Sequence, residues 1–181
     1  MKLILKLLFV FISIATMLLI LALFVEKKIV IKEVLIVDKP VEDVFRYVKL
    51  IDRQDAYLDW PSNASSQPST QSYSDGNVGY TSPIEFDLKT QGRGRFRLTE
   101  IIPNKHIKCS FVPTTNTSAQ IELTITTESK NDTTTAVGIV LSTSESYPYN
   151  LRLLFSKMPS TESTHLQKSV KNLKVNLESQ E

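Results

Sequence analysis

The chain has 181 residues, enough for one folded domain, with 41% hydrophobic residues and a formal net charge of +2. That surplus is Lys2 and Lys6, which precede the first acidic residue, so the rest of the chain is balanced. A balanced domain lacks the basic field that phosphate-backbone binding requires, which removes nucleic acid as a partner, and the lone Cys109 excludes an intramolecular disulfide.

The hydrophobic content is concentrated at the start. Leu7–Val25 is 19 residues without a charge, which as a helix spans about 28 Å, the thickness of a bilayer's hydrocarbon core. A cleaved secretory signal would carry a shorter apolar core and a small-x-small cleavage site, whereas this run ends in Leu23, Phe24 and Val25. Residues 1–28 are therefore expected to form an uncleaved single-pass anchor. Lysines flank both ends, so the positive-inside rule gives no vote, but the short N-terminal tail favours a translocated, extracytoplasmic domain.

From Ile29 to Val37 apolar and polar residues alternate with many β-branched side chains, predicting a strand. A helix follows, with Asp38 placed to cap it, Pro40 near its first position, and Val41, Val44, Phe45 and Val48 on one face. The stretch Leu50–Trp60 predicts a second short helix, whose Asp52, Asp55 and Asp59 read as a solvated face rather than as metal ligands. Residues 62–74, rich in Ser, Thr and Gln, predict a mobile polar loop.

Five β-rich stretches come next, near Val78–Leu88, Arg93–Ile102, His106–Phe111, Ala119–Thr126 and Thr134–Ser142. Tight turns between them predict an antiparallel meander, about six strands with the first. In the hairpin "IEFDLKTQGRGRFRL", a turn near Gln91 would set Glu85 opposite Arg97 and Asp87 opposite Arg95. Ile84, Phe86, Phe96 and Leu98 would then point inward. The chain ends in a helix whose Leu166, Val170, Leu173 and Leu177 form one stripe. Just upstream, "NLRLLFSKM" is too apolar on all sides for a surface helix, and Pro159 kinks or breaks the join.

The catalytic inventory is thin. His106 and Cys109 are three apart on a strand and point to opposite faces, and His165 sits at the edge of the C-terminal stripe. Cys109 reads as a packed thiol. No nucleophile elbow, phosphate loop or metal-ligand spacing occurs, so no catalytic residue, metal or cofactor is assigned. Tyr47, Tyr80, Glu100 and His106 are the only polar groups that could serve a reaction in the interior.

Four segments in this order carry a resemblance. "VDKPVEDVFRYV" resembles the apolar-x-Ala-Pro-x-x-x-Val-Phe-x-x-Val start of the polyketide cyclase/dehydrase and START-like lipid-transport superfamily (SRPBCC), and Trp60 stands where that superfamily often has tryptophan. "GRGRFRLTEIIPNKHI" resembles its central hairpin, and "YPYNLRLLFSKM" with "LQKSVKNLKVNL" its kinked C-terminal helix. Many members with this ending carry an N-terminal membrane helix. The resemblance covers residues 29–178 and implies an α+β helix-grip (START-like) domain over 29–181, a curved antiparallel sheet wrapped around a long kinked C-terminal helix. It also implies a cavity between sheet and helix for a hydrophobic small molecule or lipid, with Phe86, Phe96, Phe111, Leu151, Leu154, Phe155 and Met158 as candidate lining. Two rivals stand beside this reading: a cyclase- or hydratase-like enzyme, and an interaction module whose core is simply filled.

Overall fold

The computed structural model describes residues 2–64, 73–88, 92–114, 119–155 and 158–179; the side chains of residues 63, 64, 154, 155, 158 and 159 lie outside that description. A first helix, α1 (Lys2–Phe24), is followed by strand β1 (Lys28–Val37), helix α2 (Val41–Val48) and a 3-10 helix (Ile51–Ala56). Strands β2 (Ser62–Ala64), β3 (Thr81–Leu88), β4 (Gly92–Ile102), β5 (His106–Pro113), β6 (Gln120–Asn131) and β7 (Thr134–Ser144) come next. Helices α3 (Leu151–Phe155) and α4 (Met158–Glu178) end the chain.

All strands join one antiparallel sheet in the order β1-β7-β6-β5-β4-β3-β2. The meander places consecutive strands side by side, and β1 closes it by pairing along its full length with β7, from Lys28 opposite Ser144 to Val37 opposite Thr135. Six strands are long, as the alternation predicts. The three-residue β2 is an addition, because the stretch from Ser62 was expected to be loop. An edge strand needs only backbone pairing, and Ser62, Asn63 and Ala64 pair with Phe86, Glu85 and Ile84. Residues 65–72 of the same stretch lie outside the described residues.

The sheet's inner face is apolar because alternate residues of each strand point the same way. Phe86, Phe96, Leu98, Ile107, Cys109, Leu123, Ile125 and Ile139 are shut off from solvent, and the stripe Leu166, Val170, Leu173 and Leu177 of α4 packs over them. Val44, Phe45 and Val48 of α2 join the same core. Pro159, at the second position of α4, costs no hydrogen bond there because first-turn N–H groups have no partner inside a helix.

Two rows of polar contacts hold α4 in place. On one flank Asn176 donates to the Ala56 carbonyl (2.9 Å), Asn172 to the Tyr57 carbonyl (3.4 Å), and the Asp59 N–H to Ser169 Oγ (2.9 Å). His165 Nδ1 lies 2.9 Å from both the carbonyl and the carboxylate of Asp59, and Trp60 Nε1 donates to Glu162 Oε2 at 2.6 Å. On the other flank Ser163 and Gln167 donate to Glu33, and Lys174 to the Ile36 carbonyl, all on β1. The helix is thus gripped from both sides as well as from below.

Three expectations are corrected. Asp38 does not cap α2: Pro40 occupies the cap position, with no side-chain cap, and Asp38 lies two residues outside. Asp52 and Asp59 are not a solvated face. Asp52 accepts hydrogen bonds from Tyr80 (2.6 Å) and Ser82 (3.0 Å), and Asp59 meets His165 and Lys168. The β3–β4 hairpin pairs Glu85 with Arg95 and Asp87 with Arg93, two residues from the expected register, because Leu88 pairs with Gly92 and the pairing is thus centred one residue earlier than Gln91. The inward set Ile84, Phe86, Phe96 and Leu98 survives, since a shift of two keeps every side chain on its face.

Gly94 shows how tightly β4 lies on β5. A Cβ there would meet the Val112 carbonyl oxygen at 2.5 Å and the Phe111 ring at 2.7 Å. Backbone cannot give way as a side-chain tip can, so Gly94→Ala is expected to destabilise the domain by about 1–3 kcal/mol, read from urea unfolding midpoints.

Candidate functional site

The face that could receive a ligand is the inner surface of β3, β4 and β5 under α4. Its aromatic part is contiguous. Phe86 and Phe96 have ring centroids 5.4 Å apart, and so do Phe96 and Phe111, the second pair edge to face. Of the seven candidate lining residues the structure brings these three together, packed ring to ring and closed to solvent. Leu151 lies apart from them, half-buried in α3. The side chains of Leu154, Phe155 and Met158 lie outside the described residues.

One inward position along β5 from Phe111 is Cys109, and there the interior turns polar. Gln54, from the 3-10 helix, is fully buried and its Nε2 donates to Cys109 Sγ at 3.8 Å. Tyr57, one residue past that helix, is equally buried, and its ring lies 6.2 Å from that of Tyr47. By strict hydrogen-bond geometry neither the Gln54 Oε1 nor the Tyr57 hydroxyl has a partner among the described residues, although the Gln54 amide stands close enough to that hydroxyl to favour its ionised form. Each orphaned buried group costs on the order of 1–3 kcal/mol, so a bonded occupant is the expected resolution.

Burial sets the chemistry of this corner. It pushes the Tyr57 hydroxyl well above its ordinary range, with smaller contributions from Cys109 and Tyr47 and a partial offset from the Gln54 side chain. It also pushes the Cys109 thiol up to about 12. A thiol held protonated and closed to solvent is a poor nucleophile. Native protein at pH 8 is therefore expected to resist iodoacetamide at Cys109, with stoichiometric alkylation only after denaturation. Rapid native alkylation would show this corner open to water.

The loop before β3 completes the floor. Asp75 accepts N–H groups from Ile51 (2.9 Å) and Asp52 (3.3 Å), capping from a distance a 3-10 helix that has no side-chain cap of its own. Burial raises the Asp75 carboxyl above its usual range, partly offset by the Ile51 N–H.

The other polar candidates serve the framework. Tyr80 is tied to Asp52 by its hydroxyl. Tyr47 is buried with the Arg53 guanidinium 5.3 Å above its ring, beside a surface groove of about 270 Å³ between α2 and the end of α4. His106 lies 3.0 Å from Glu100, which also pairs with Lys108 at 2.9 Å. His106 and Lys108 alternate with the buried Ile107 and Cys109, so this cluster sits on the sheet's outer face. Among the described residues no group of three or more His, Cys, Asp or Glu is placed to hold a metal ion.

Gln54 and Tyr57 escaped the sequence reading, although their signal was present. Each is polar and sits in a short segment whose neighbours Ile51, Leu58 and Trp60 are apolar, a pattern that marks burial rather than a solvated turn.

No family model and no curated protein matches the chain in sequence. Solved structures match in shape. Truncated norcoclaurine synthase from Thalictrum flavum superposes with a TM-score of 0.60 at 10% identity, covering 85% of this chain and 96% of that one. A START superfamily protein from Mycobacterium smegmatis gives 0.54 at 14%, covering 82% and 97%. The Aha1 dimer from Colwellia psychrerythraea gives 0.52 at 17%, covering 83% and 97%. The fold is therefore the START-like helix-grip fold that the resemblance to SRPBCC implied, with an apolar N-terminal helix in front of it. A shared fold does not fix what a chain does, so the function is argued from this chain's own interior.

Proposed function

We propose that the chain is a membrane-anchored binding module that takes a hydrophobic molecule bearing one polar group into the space between sheet and α4. The observation that carries this reading is the fully buried pair Gln54 and Tyr57 beside the aromatic trio, with the Gln54 Oε1 and the Tyr57 hydroxyl short of a hydrogen bond of good geometry among the described residues. One offers an acceptor and the other a donor, so a hydroxyl or carboxyl at the end of an apolar body would satisfy both. The aromatic trio supplies the apolar contact; admitting a ligand requires its rings to part.

The support for membrane attachment is α1. It is 23 residues long, and Ala22 is its only buried residue among those described. A helix of this length, apolar and packed on almost nothing, has the dimensions and composition of a bilayer span, which supports the anchor. We propose an extracytoplasmic domain; protease protection of spheroplasts or vesicles tests this directly.

The reading is tested on full-length protein purified in detergent. Organic extraction and mass spectrometry should recover an apolar molecule with a polar end, and a fluorescent fatty-acid probe should bind. Gln54→Leu combined with Tyr57→Phe should weaken probe binding at least tenfold while raising the unfolding midpoint, because two unsatisfied groups are removed. An empty extract with no probe binding, on folded protein, would refute the proposal and leave a filled core.

A further inference from the structure

The turn Tyr147–Asn150, just ahead of α3, is hydrogen-bonded to the end of the first helix, and this contact has a direction. Asn150, fully buried, donates from Nδ2 to the carbonyls of Ala22 (2.8 Å) and Val25 (3.1 Å), meeting part of the acceptor demand at the end of α1. The Glu145 N–H donates to the Lys27 carbonyl at 2.9 Å. Tyr147 reaches further, its hydroxyl donating to the Leu19 carbonyl at 3.3 Å. Leu19 is five residues before the end of α1, about 7.5 Å back along its axis.

We propose that the loop Tyr147–Asn150 and the start of α3 form a second, interfacial seat in the bilayer that α1 spans, so that the domain lies against the lipid rather than swinging from a tether. This rests on the reading of α1 as a membrane anchor. If the last turn of α1 lies at the edge of the hydrocarbon, a ring held level with Leu19 lies in the glycerol and upper acyl zone, where tyrosine concentrates. The exposed surface has the matching composition. Tyr147 and Tyr149 are 41% and 56% exposed, and Phe24 is 82% exposed. Beside them Leu21, Phe24, Val25, Ile29 and Leu153 line an open groove of about 400 Å³, with the exposed Glu26 as its one charged member. The exposed Lys27, Lys28 and Arg152 stand at the level expected of headgroups. The occupant is phospholipid, because the groove is continuous with the surface of α1 itself.

The test is spin-label accessibility in phosphatidylcholine liposomes, using full-length protein with Cys109→Ala and one introduced cysteine. Tyr149→Cys should report collisions dominated by oxygen over a water-soluble nickel chelate, by at least threefold. Asp132→Cys provides the aqueous reference, since the β6–β7 turn lies at the far end of the eleven-residue β7, about 35 Å away. Phe9→Cys reports the anchor. Label 149 as wet as label 132, with label 9 in lipid, overturns the seat and leaves the anchor standing. Label 9 in water overturns both. Adding Asn150→Ala should shift label 149 toward water while circular dichroism stays unchanged; a dry label 149 in that variant would show that the strap does not set the seat.

Discussion

Phe96→Ala is expected to lower the unfolding free energy by about 3–5 kcal/mol, measured by urea titration of the detergent-solubilised chain. Phe96 is the middle ring of the three, closed to solvent and in contact with Phe86 on one side and Phe111 on the other. Truncation removes both ring contacts at once and leaves a void that two neighbouring strands, hydrogen-bonded along their length, cannot collapse to fill. The size of the loss also discriminates between roles. A cost near the upper end marks Phe96 as packing in a filled core. A cost below about 1 kcal/mol, with altered binding of the fatty-acid probe, marks it as the wall of a pocket whose occupant already stood in for protein contacts.

The parts of the molecule legible in the sequence are those set by local period. Alternation over Ile29–Val37 places β1, and the spacing of Leu166, Val170, Leu173 and Leu177 places the buried face of α4, because each pattern repeats within the element that it describes. Contacts between segments more than a hundred residues apart leave no such period. Asn150 caps α1 across 128 residues of chain, and nothing in "SESYPYN" alone announces it. The hairpin register failed for a related reason: moving the centre of the pairing by one residue moves every partner by two, and the alternation of inward side chains is blind to a shift of two. The interior corner was missed because Gln54 and Tyr57 were read with the acids around them as a solvated helix.

Glu162 extends the α4 stripe by one more turn, four residues before Leu166, so the buried face was longer than its apolar members indicated. A carboxyl at such a position needs a donor, and Trp60, the chain's single tryptophan, supplies it at 2.6 Å. This contact joins the end of the α2 region to the start of α4, at the top of the row running down through His165, Ser169, Asn172 and Asn176. Trp60→Phe keeps most of the ring's packing and deletes only the donor, so it is expected to cost about 1–3 kcal/mol, the price of leaving a buried acceptor short of its partner. Glu162→Gln should cost less, because the amide oxygen can still accept from the indole. Trp60→Ala, which also empties the ring's site, should cost about 3–5 kcal/mol. A double-mutant cycle of Trp60→Phe with Glu162→Met, which deletes the acceptor at similar length, separates the pair from its surroundings and should return a coupling of at least about 0.5 kcal/mol. Additive losses would show that Trp60 contributes by packing alone, and that the row on α4 holds without its first member.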